Sequence, residues 1–192
     1  LLVYLLNERG ILAKLADTRD LIVTDSNFGD AQPLDVLSKK NVIQIFNDNK
    51  DAVLVITGFI GANAKHETTT LGRNGSNYTA SLIANFINAE ELQNFTHVDG
   101  IYTANPDLVA DAKKIDHLTF NEANELANFG ATILHAKTII PLLEKNIPLR
   151  ILNTFNHENE GTLITSNANG AGIKTLSVLE NVALVNLEGR GL

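Results

Sequence analysis

The sequence predicts an α/β fold with a mainly parallel sheet and helices on both of its faces. Three observations carry this. Short β-branched runs alternate with helix-period stretches along the chain. Two glycine clusters, Gly58/Gly61 and Gly72/Gly75, fall where strands end and helices begin, the place where such sheets bind ligands. The composition, 44% hydrophobic and 19% charged over 192 residues, is that of a globular chain and not a disordered one.

Taken in order, residues 1–9 read as a helix stopped by Gly10, a glycine suited to the position after a helix end. Residues 11–15 and 21–24 are short strand-like runs, followed by the turn cluster DSNFGD at 25–30. Residues 36–46 read as a short helix mixed with extended chain. Residues 52–57, AVLVIT, are the clearest buried strand. Residues 78–88 form an amphipathic helix with Leu82, Ile83, Phe86 and Ile87 on one stripe. Residues 93–102 hold strand material around an Asp99-Gly100 turn. Helices follow at 121–128, ended by Gly130, and at 136–145, then a strand at 148–152. Residues 167–172, NANGAG, have linker composition, and 178–187 read as the first strand of a further unit.

The bulk numbers exclude several function classes. A net charge of −7, from 15 basic and 22 acidic residues, argues against a nucleic-acid binder, yet leaves room for one arginine to hold a phosphate. With no cysteine, there is no disulfide, thiolate nucleophile or Cys-based zinc site. The five histidines show no metalloprotease spacing. No apolar run approaches the ~20 residues that span a bilayer, so no membrane role and a cytoplasmic location are expected. The chain lacks methionine and opens on Leu1 inside an apolar run; it is read as an internal piece of a longer polypeptide.

Four loops carry candidate chemistry. In TGFIGAN (57–63), glycines let backbone N–H groups approach an anion, although a tight turn without a ligand fits this segment better when it is taken alone. In LGRNGSNYTAS (71–81), Ser76 and Asn77 are suited to capping the next helix. Its N-terminus attracts anions, and Arg73 offers a planar fork for a carboxylate. A surface arginine beside an ordinary capped helix is an equal reading. In FTHVDGIYTANPD (95–107), Tyr102 is either a partner for a nucleobase or a core tyrosine. His97 is either a base or structural, and Asn105-Pro106-Asp107 has turn chemistry. In the fourth segment, 121–142, His135 and Lys137 sit near a second helix start, where a hairpin with solvated charges is the stronger reading.

Together, TGFIG, TTLGRNGSNYTAS, VDGIYTANPD, NEANELANFGATILHAKTIIP and IPLRILNTF…GTLI, in this order, resemble aspartokinase of the amino-acid kinase family over residues 1–164. Asn74 in the LGRNGS loop resembles the kinase half of the bifunctional aspartokinase/homoserine dehydrogenase type. The tail LSVLENVALVNLEGRGL resembles the start of an ACT regulatory region. The resemblance implies a partial amino-acid kinase domain at 1–166, a three-layer αβα sandwich. A linker follows at 167–175, and the start of an ACT-like region at 176–192.

The implied reaction moves the ATP γ-phosphate to the side-chain carboxylate of L-aspartate, a first step of amino-acid biosynthesis, with Mg²⁺ between phosphate oxygens. By matching position, Arg73, Ser76 and Asn77 meet the substrate. Gly58 and Gly61 lie along the phosphate path, and Thr96, His97, Tyr102, Asn105, Asp107 and Thr132 contact ATP. The family's catalytic lysine and glutamate have no counterpart in this piece, which is expected to be inactive by itself. A homo-oligomeric parent, possible fusion to homoserine dehydrogenase and feedback by an end-product amino acid such as threonine are further implications. The sequence departs from the pattern at Asn77, His97 and Asn105, where aspartate is usual, at Asp107, often arginine, and at Thr132, usually lysine. Those departures keep a second reading open: a ligand-binding or regulatory module on a kinase scaffold. A third keeps the fold with another acidic amino acid or a nucleoside monophosphate as substrate.

Overall fold

The computed structural model describes residues 1–128, 135–167 and 174–176. It is a mixed α/β structure. Helix α1 (Leu2–Glu8) buries none of its side chains and ends where Gly10 turns at φ +78°. Strand β1 (Ala13–Ala16) leads to the one-turn helix α2 (Thr18–Leu21), capped by the Asp17 carboxylate, which accepts from the Arg19 N–H at 2.9 Å. Then come β2 (Val23–Thr24) and α3 (Asp35–Asp48). Strands β3 (Val53–Ile56), β4 (Ile60–Asn63) and β5 (Thr68–Thr70) precede the long helix α4 (Gly75–Ile87). The rest runs β6 (Leu92–Thr96), β7 (Ile101–Tyr102), β8 (Lys114–Ile115), β9 (His117–Thr119), α5 (Phe120–Asn128), α6 (Ala136–Lys145), β10 (Leu149–Asn153) and β11 (Thr162–Thr165).

Pairing among the described residues falls into four ladders. β1 and β3 are parallel, β2 and β4 parallel with β5 antiparallel beyond them, and β7 and β8 antiparallel. The fourth has the order β6-β10-β11-β9, in which only β10 and β11 run antiparallel.

Two cores meet on α4. Leu82, Ile83 and Phe86 pack with Leu21, Ile22, Val42 and Leu71 on one side. Ala84 joins a second cluster with Leu118, Phe120, Ile139, Leu142, Leu149 and Ile151. Each such aliphatic or aromatic side chain contributes about 1.5–3 kcal/mol when fully buried. The apolar stripe expected for this helix is therefore real, but it is wider than one face. That makes α4 the wall shared by both halves and fixes the loop at its N-terminus.

Several elements differ from expectation for identifiable reasons. Residues 36–46 belong to one continuous helix, α3, whose buried face is only Ser38 and Val42, so its periodicity is faint. Of 21–24, Leu21 ends α2, Ile22 is its C-cap and only Val23–Thr24 form a strand. Strand β3 is less buried than its composition suggests, with Val53 49% exposed, because it pairs only with β1 among the described residues. Residues 93–102 split between β6 and β7 in different ladders. Helix α5 starts with a reciprocal cap: the Thr119 N–H donates to Glu122 Oε2 at 2.7 Å, and the Glu122 N–H donates to Thr119 Oγ1 at 3.2 Å. Burial would raise the Glu122 pKa, but the Thr119 and Lys174 hydrogen bonds hold it below its ordinary value. The expected strand at 178–187 and Gly130 lie outside the described residues; of the expected linker, only Asn167 and residues 174–175 fall within them.

Arg150 on β10 grips Glu91, just before β6, through Nε and Nη2 at 3.1–3.2 Å. That hydrogen bonding holds the Glu91 carboxyl below its ordinary pKa, against the opposing effect of burial. A depressed carboxylate stabilises the fold above its unfolded pKa and loses that contribution as pH falls through the folded value. Arg150→Gln should cost about 0.5–1 kcal/mol at pH 7. The gap in melting temperature from the unaltered protein should close as pH drops below the ordinary carboxylate range; a gap unchanged down to strong acid would contradict it.

Candidate active site

The two glycine loops come together. A Cβ added at Gly58 would lie 3.1 Å from Ser76 Cα, so the end of β3 abuts the first turn of α4. Between them Phe59 adopts φ +74°, a left-handed backbone that costs a non-glycine residue about 1–2 kcal/mol. It is held there from both sides: its N–H donates to Thr79 Oγ1 at 3.1 Å, and its carbonyl accepts from the Leu71 N–H at 2.9 Å. Gly61 plays a different part. It sits inside β4, and a Cβ there would come within 2.7 Å of the Ile22 carbonyl oxygen, so its missing side chain serves strand packing.

Arg73 lies between Gly72 at φ +75° and Asn74 at φ +57°. Asn74, not Ser76 or Asn77, is the N-cap of α4, and its side chain makes no capping hydrogen bond. The left-handed pair of dihedrals starts the helix at Gly75, three residues earlier than the sequence suggests. Ser76 and Asn77 therefore fall in its first turn, where backbone N–H groups lack helical acceptors. Ser76 is exposed and Asn77 half-buried.

Arg73 lines an open cleft of about 390 Å³ together with Gly29, Asp30, Gly72, His135 and Lys137. It is exposed and makes no hydrogen bond or ion pair among the described residues. Across the cleft, Lys137 Nζ lies 2.5 Å from Asp30 Oδ1. His135 caps α6 through Nδ1, which accepts from the Lys137 N–H at 3.3 Å. Asp30 Oδ1 occupies the space a side chain on Gly72 would need. Nearby Tyr78, half-buried on α4, has its phenol pushed up by burial first and then by the carboxylates of Asp35, Glu144 and Asp30, so it remains a hydrogen-bond donor. The arrangement suits a small ligand with more than one acidic group.

Of the second set of expected residues, Thr96 and His97 lie at the carboxyl end of β6, which pairs with β10. The Thr96 carbonyl accepts from the Thr154 N–H at 2.8 Å, and Thr96 Oγ1 lies 3.4 Å from Nδ1 of exposed His97. Tyr102 on β7 is half-buried, and its carbonyl accepts from Thr175 Oγ1 at 2.9 Å. Asn105 spends its side-chain oxygen on the Asp107 N–H at 3.0 Å, the turn chemistry read from the sequence, which leaves Asp107 exposed. Thr132 lies outside the described residues.

Two features had no place among the sequence-derived candidates. Asp30 had been read only as turn material. Asp99 Oδ1, seen before only as a turn residue, accepts from Asn153 Nδ2 at 2.7 Å and Asn156 Nδ2 at 3.1 Å, tying the ends of β6 and β10. Among the described residues no group of three acidic or histidine side chains could cage a cation, and none of the helices there is long and apolar enough to cross a membrane.

Known proteins bear on this geometry. The "Amino acid kinase family" profile matches residues 1–153. The chain is 36% identical, over its full length, to "Bifunctional aspartokinase/homoserine dehydrogenase 2, chloroplastic" of Zea mays and covers 22% of it. It is 35% identical to "Lysine-sensitive aspartokinase 3" of Escherichia coli (strain K12), over 97% of this chain and 42% of that one. The crystal structure of E. coli aspartokinase III in complex with aspartate and ADP superposes with a TM-score of 0.82 at 36% identity, covering 87% of this chain and 38% of that one. The chain thus spans about a fifth to two fifths of the length of these relatives. With a family profile matching most of its length and its fold shared with those kinases, the chain belongs to the amino acid kinase family.

Proposed function

We infer that the full-length protein is an aspartate kinase, transferring the ATP γ-phosphoryl group to the side-chain carboxylate of L-aspartate. One observation carries the reading: an arginine without a partner among the described residues, presented between two left-handed residues, faces an open cleft in a chain that superposes on an aspartokinase holding aspartate and ADP. Arg73 grips the α-carboxylate through its fork, and the first turn of α4, with Ser76 and Asn77, adds N–H groups and the positive end of a helix dipole. Gly58 lets the backbone come close on the phosphate side, with Gly61 behind it. Thr96, His97, Tyr102, Asn105, Asp107 and Thr132 form the nucleotide side.

Catalysis of this kind is positioning and charge neutralisation. Mg²⁺ bound with the nucleotide would offset the negative charge of the phosphates. A homo-oligomeric parent, fusion to a homoserine dehydrogenase and a cytoplasmic or, as in the plant relatives, chloroplast location belong to the same proposal, as does the inactivity of this stretch alone.

The test is an ADP-release assay on the full-length protein with saturating ATP, Mg²⁺ and L-aspartate. Aspartate-dependent turnover is expected; none would remove the assignment. The alternative, a weakened ligand-binding module, draws on Asn105, whose side chain is committed to its own turn. Calorimetry separates the two, since aspartate binding without ATP binding belongs to the module.

A further inference from the structure

The cleft beside Arg73 contains a charge pair that the proposed reaction has not used. Among the described residues that line it, Asp30 is the only carboxylate, and Lys137 is its partner at 2.5 Å, although 107 residues separate them. Both side chains keep solvent access, with 56% of Asp30 and 31% of Lys137 exposed, so the pair can be opened without uncovering a buried charge. Among the described lining residues, Arg73 and Lys137 carry two positive charges against the one negative charge of Asp30.

An α-amino acid with an acidic side chain carries two carboxylates and one ammonium. That is the complement of two cations and one carboxylate. We propose that the acidic amino acid inserts into the Asp30–Lys137 pair. Its ammonium replaces Lys137 on Asp30, its side-chain carboxylate takes Lys137, and Arg73 holds the α-carboxylate. Resting on the aspartate-kinase reading for the identity of the amino acid, this makes Asp30 and Lys137 specificity-determining residues.

The exchange gains ion pairs. One protein–protein pair is given up, two protein–ligand pairs form in its place, and the contact to Arg73 is a third. Asp30 also has an environment that keeps its carboxylate in position without Lys137. Its Oδ1 rests against the bare Cα of Gly72, and its carbonyl accepts from Asn27 Nδ2 at 3.1 Å and Gln32 Nε2 at 3.0 Å. Lys137 is anchored by the His135 cap at the start of α6, while its four-carbon stem leaves the ammonium free to shift.

Calorimetry on the full-length protein, with three probes, tests this. L-aspartate has all three charged groups, succinate lacks the ammonium, and L-asparagine lacks the second negative charge. The unaltered protein should bind aspartate most tightly. Asp30→Asn should reduce the aspartate-over-succinate preference about tenfold and leave aspartate-over-asparagine intact, the worth of one charge-assisted contact. Lys137→Gln should do the reverse, and Lys137→Arg should retain the preference.

A pair that merely fastens the fold would lower all three affinities by one factor and leave both ratios unchanged; that result overturns the proposal. So does an unaltered protein that binds none of the probes. Failure of the kinase reading looks different: the ratios shift as stated while ADP release with aspartate is absent. Melting curves of each variant confirm that it is folded, and Asp30→Glu, which keeps the charge, serves if Asp30→Asn does not fold.

Discussion

Arg73→Ala in the full-length protein should lower kcat/KM for L-aspartate about a hundredfold or more while leaving the melting temperature almost unchanged. A bidentate guanidinium–carboxylate contact in a partly screened cleft contributes about 3 kcal/mol, from two charge-assisted hydrogen bonds of about 1.5 kcal/mol each. Stability should hold because Arg73 pairs with nothing among the described residues, so its removal strands no buried carboxylate and opens no cavity. Arg73→Lys keeps the charge but loses the planar fork and should recover only part of the activity. Most of the loss should appear in the KM for aspartate, with the KM for ATP little changed, since Arg73 sits at the α4 loop and not at the β6–β10 edge. An alanine variant with unaltered aspartate kinetics would remove Arg73 from the substrate site. One that loses aspartate and ATP affinity together would point to a collapsed loop, which its melting curve would reveal.

The Arg73 loop was legible because its signals are local. Glycines flank the arginine and small polar residues open the helix. The following stripe of Leu82, Ile83 and Phe86 marks a packed face. The helix start was displaced by three residues, from 78 to Gly75, because Asn74 in a left-handed conformation can begin a helix without its side chain accepting a capping hydrogen bond, and composition does not display that dihedral. Strand β5 escaped notice because it reads TTT; its stability comes from pairing with β4 and from buried Thr69, whose hydroxyl lies 2.7 Å from that of Thr24. The start of helix α5 carries a T-x-x-E spacing, Thr119 and Glu122, that forms a reciprocal cap and that the sequence reading did not use. What could not be read was the juxtaposition of Asp30 with Lys137. Each belongs to an ordinary local setting, a turn and a helix start. The packing of α6 against α4, fixed in part by the Asn85 amide on the Pro141 carbonyl at 2.7 Å, helps bring these two distant stretches to one cleft.

Gly161→Ala should destabilise the chain by roughly 3–5 kcal/mol, far more than Gly10→Ala, although the two glycines share almost the same backbone angle, φ +72° and +78°. The left-handed conformation alone costs an alanine about 1–2 kcal/mol. At Gly10 that is the whole penalty, because nothing lies within 4 Å of where the methyl would go. At Gly161 the methyl would fall 1.9 Å from the Ile151 carbonyl oxygen, so the β10–β11 corner itself must move. The difference between the two variants in urea denaturation isolates the collision from the dihedral. The damage should also reach the nucleotide side. Thr162 follows Gly161, accepts the Ile101 N–H at 2.8 Å and donates to the Ile115 carbonyl at 2.6 Å, and so holds β7 and β8 together with Tyr102. A displaced corner releases both bonds. The KM for ATP should therefore rise in Gly161→Ala under conditions where it remains folded, with Gly10→Ala unaffected. Equal stability losses in the two variants would show that the corner yields freely and that Ile151 does not confine it.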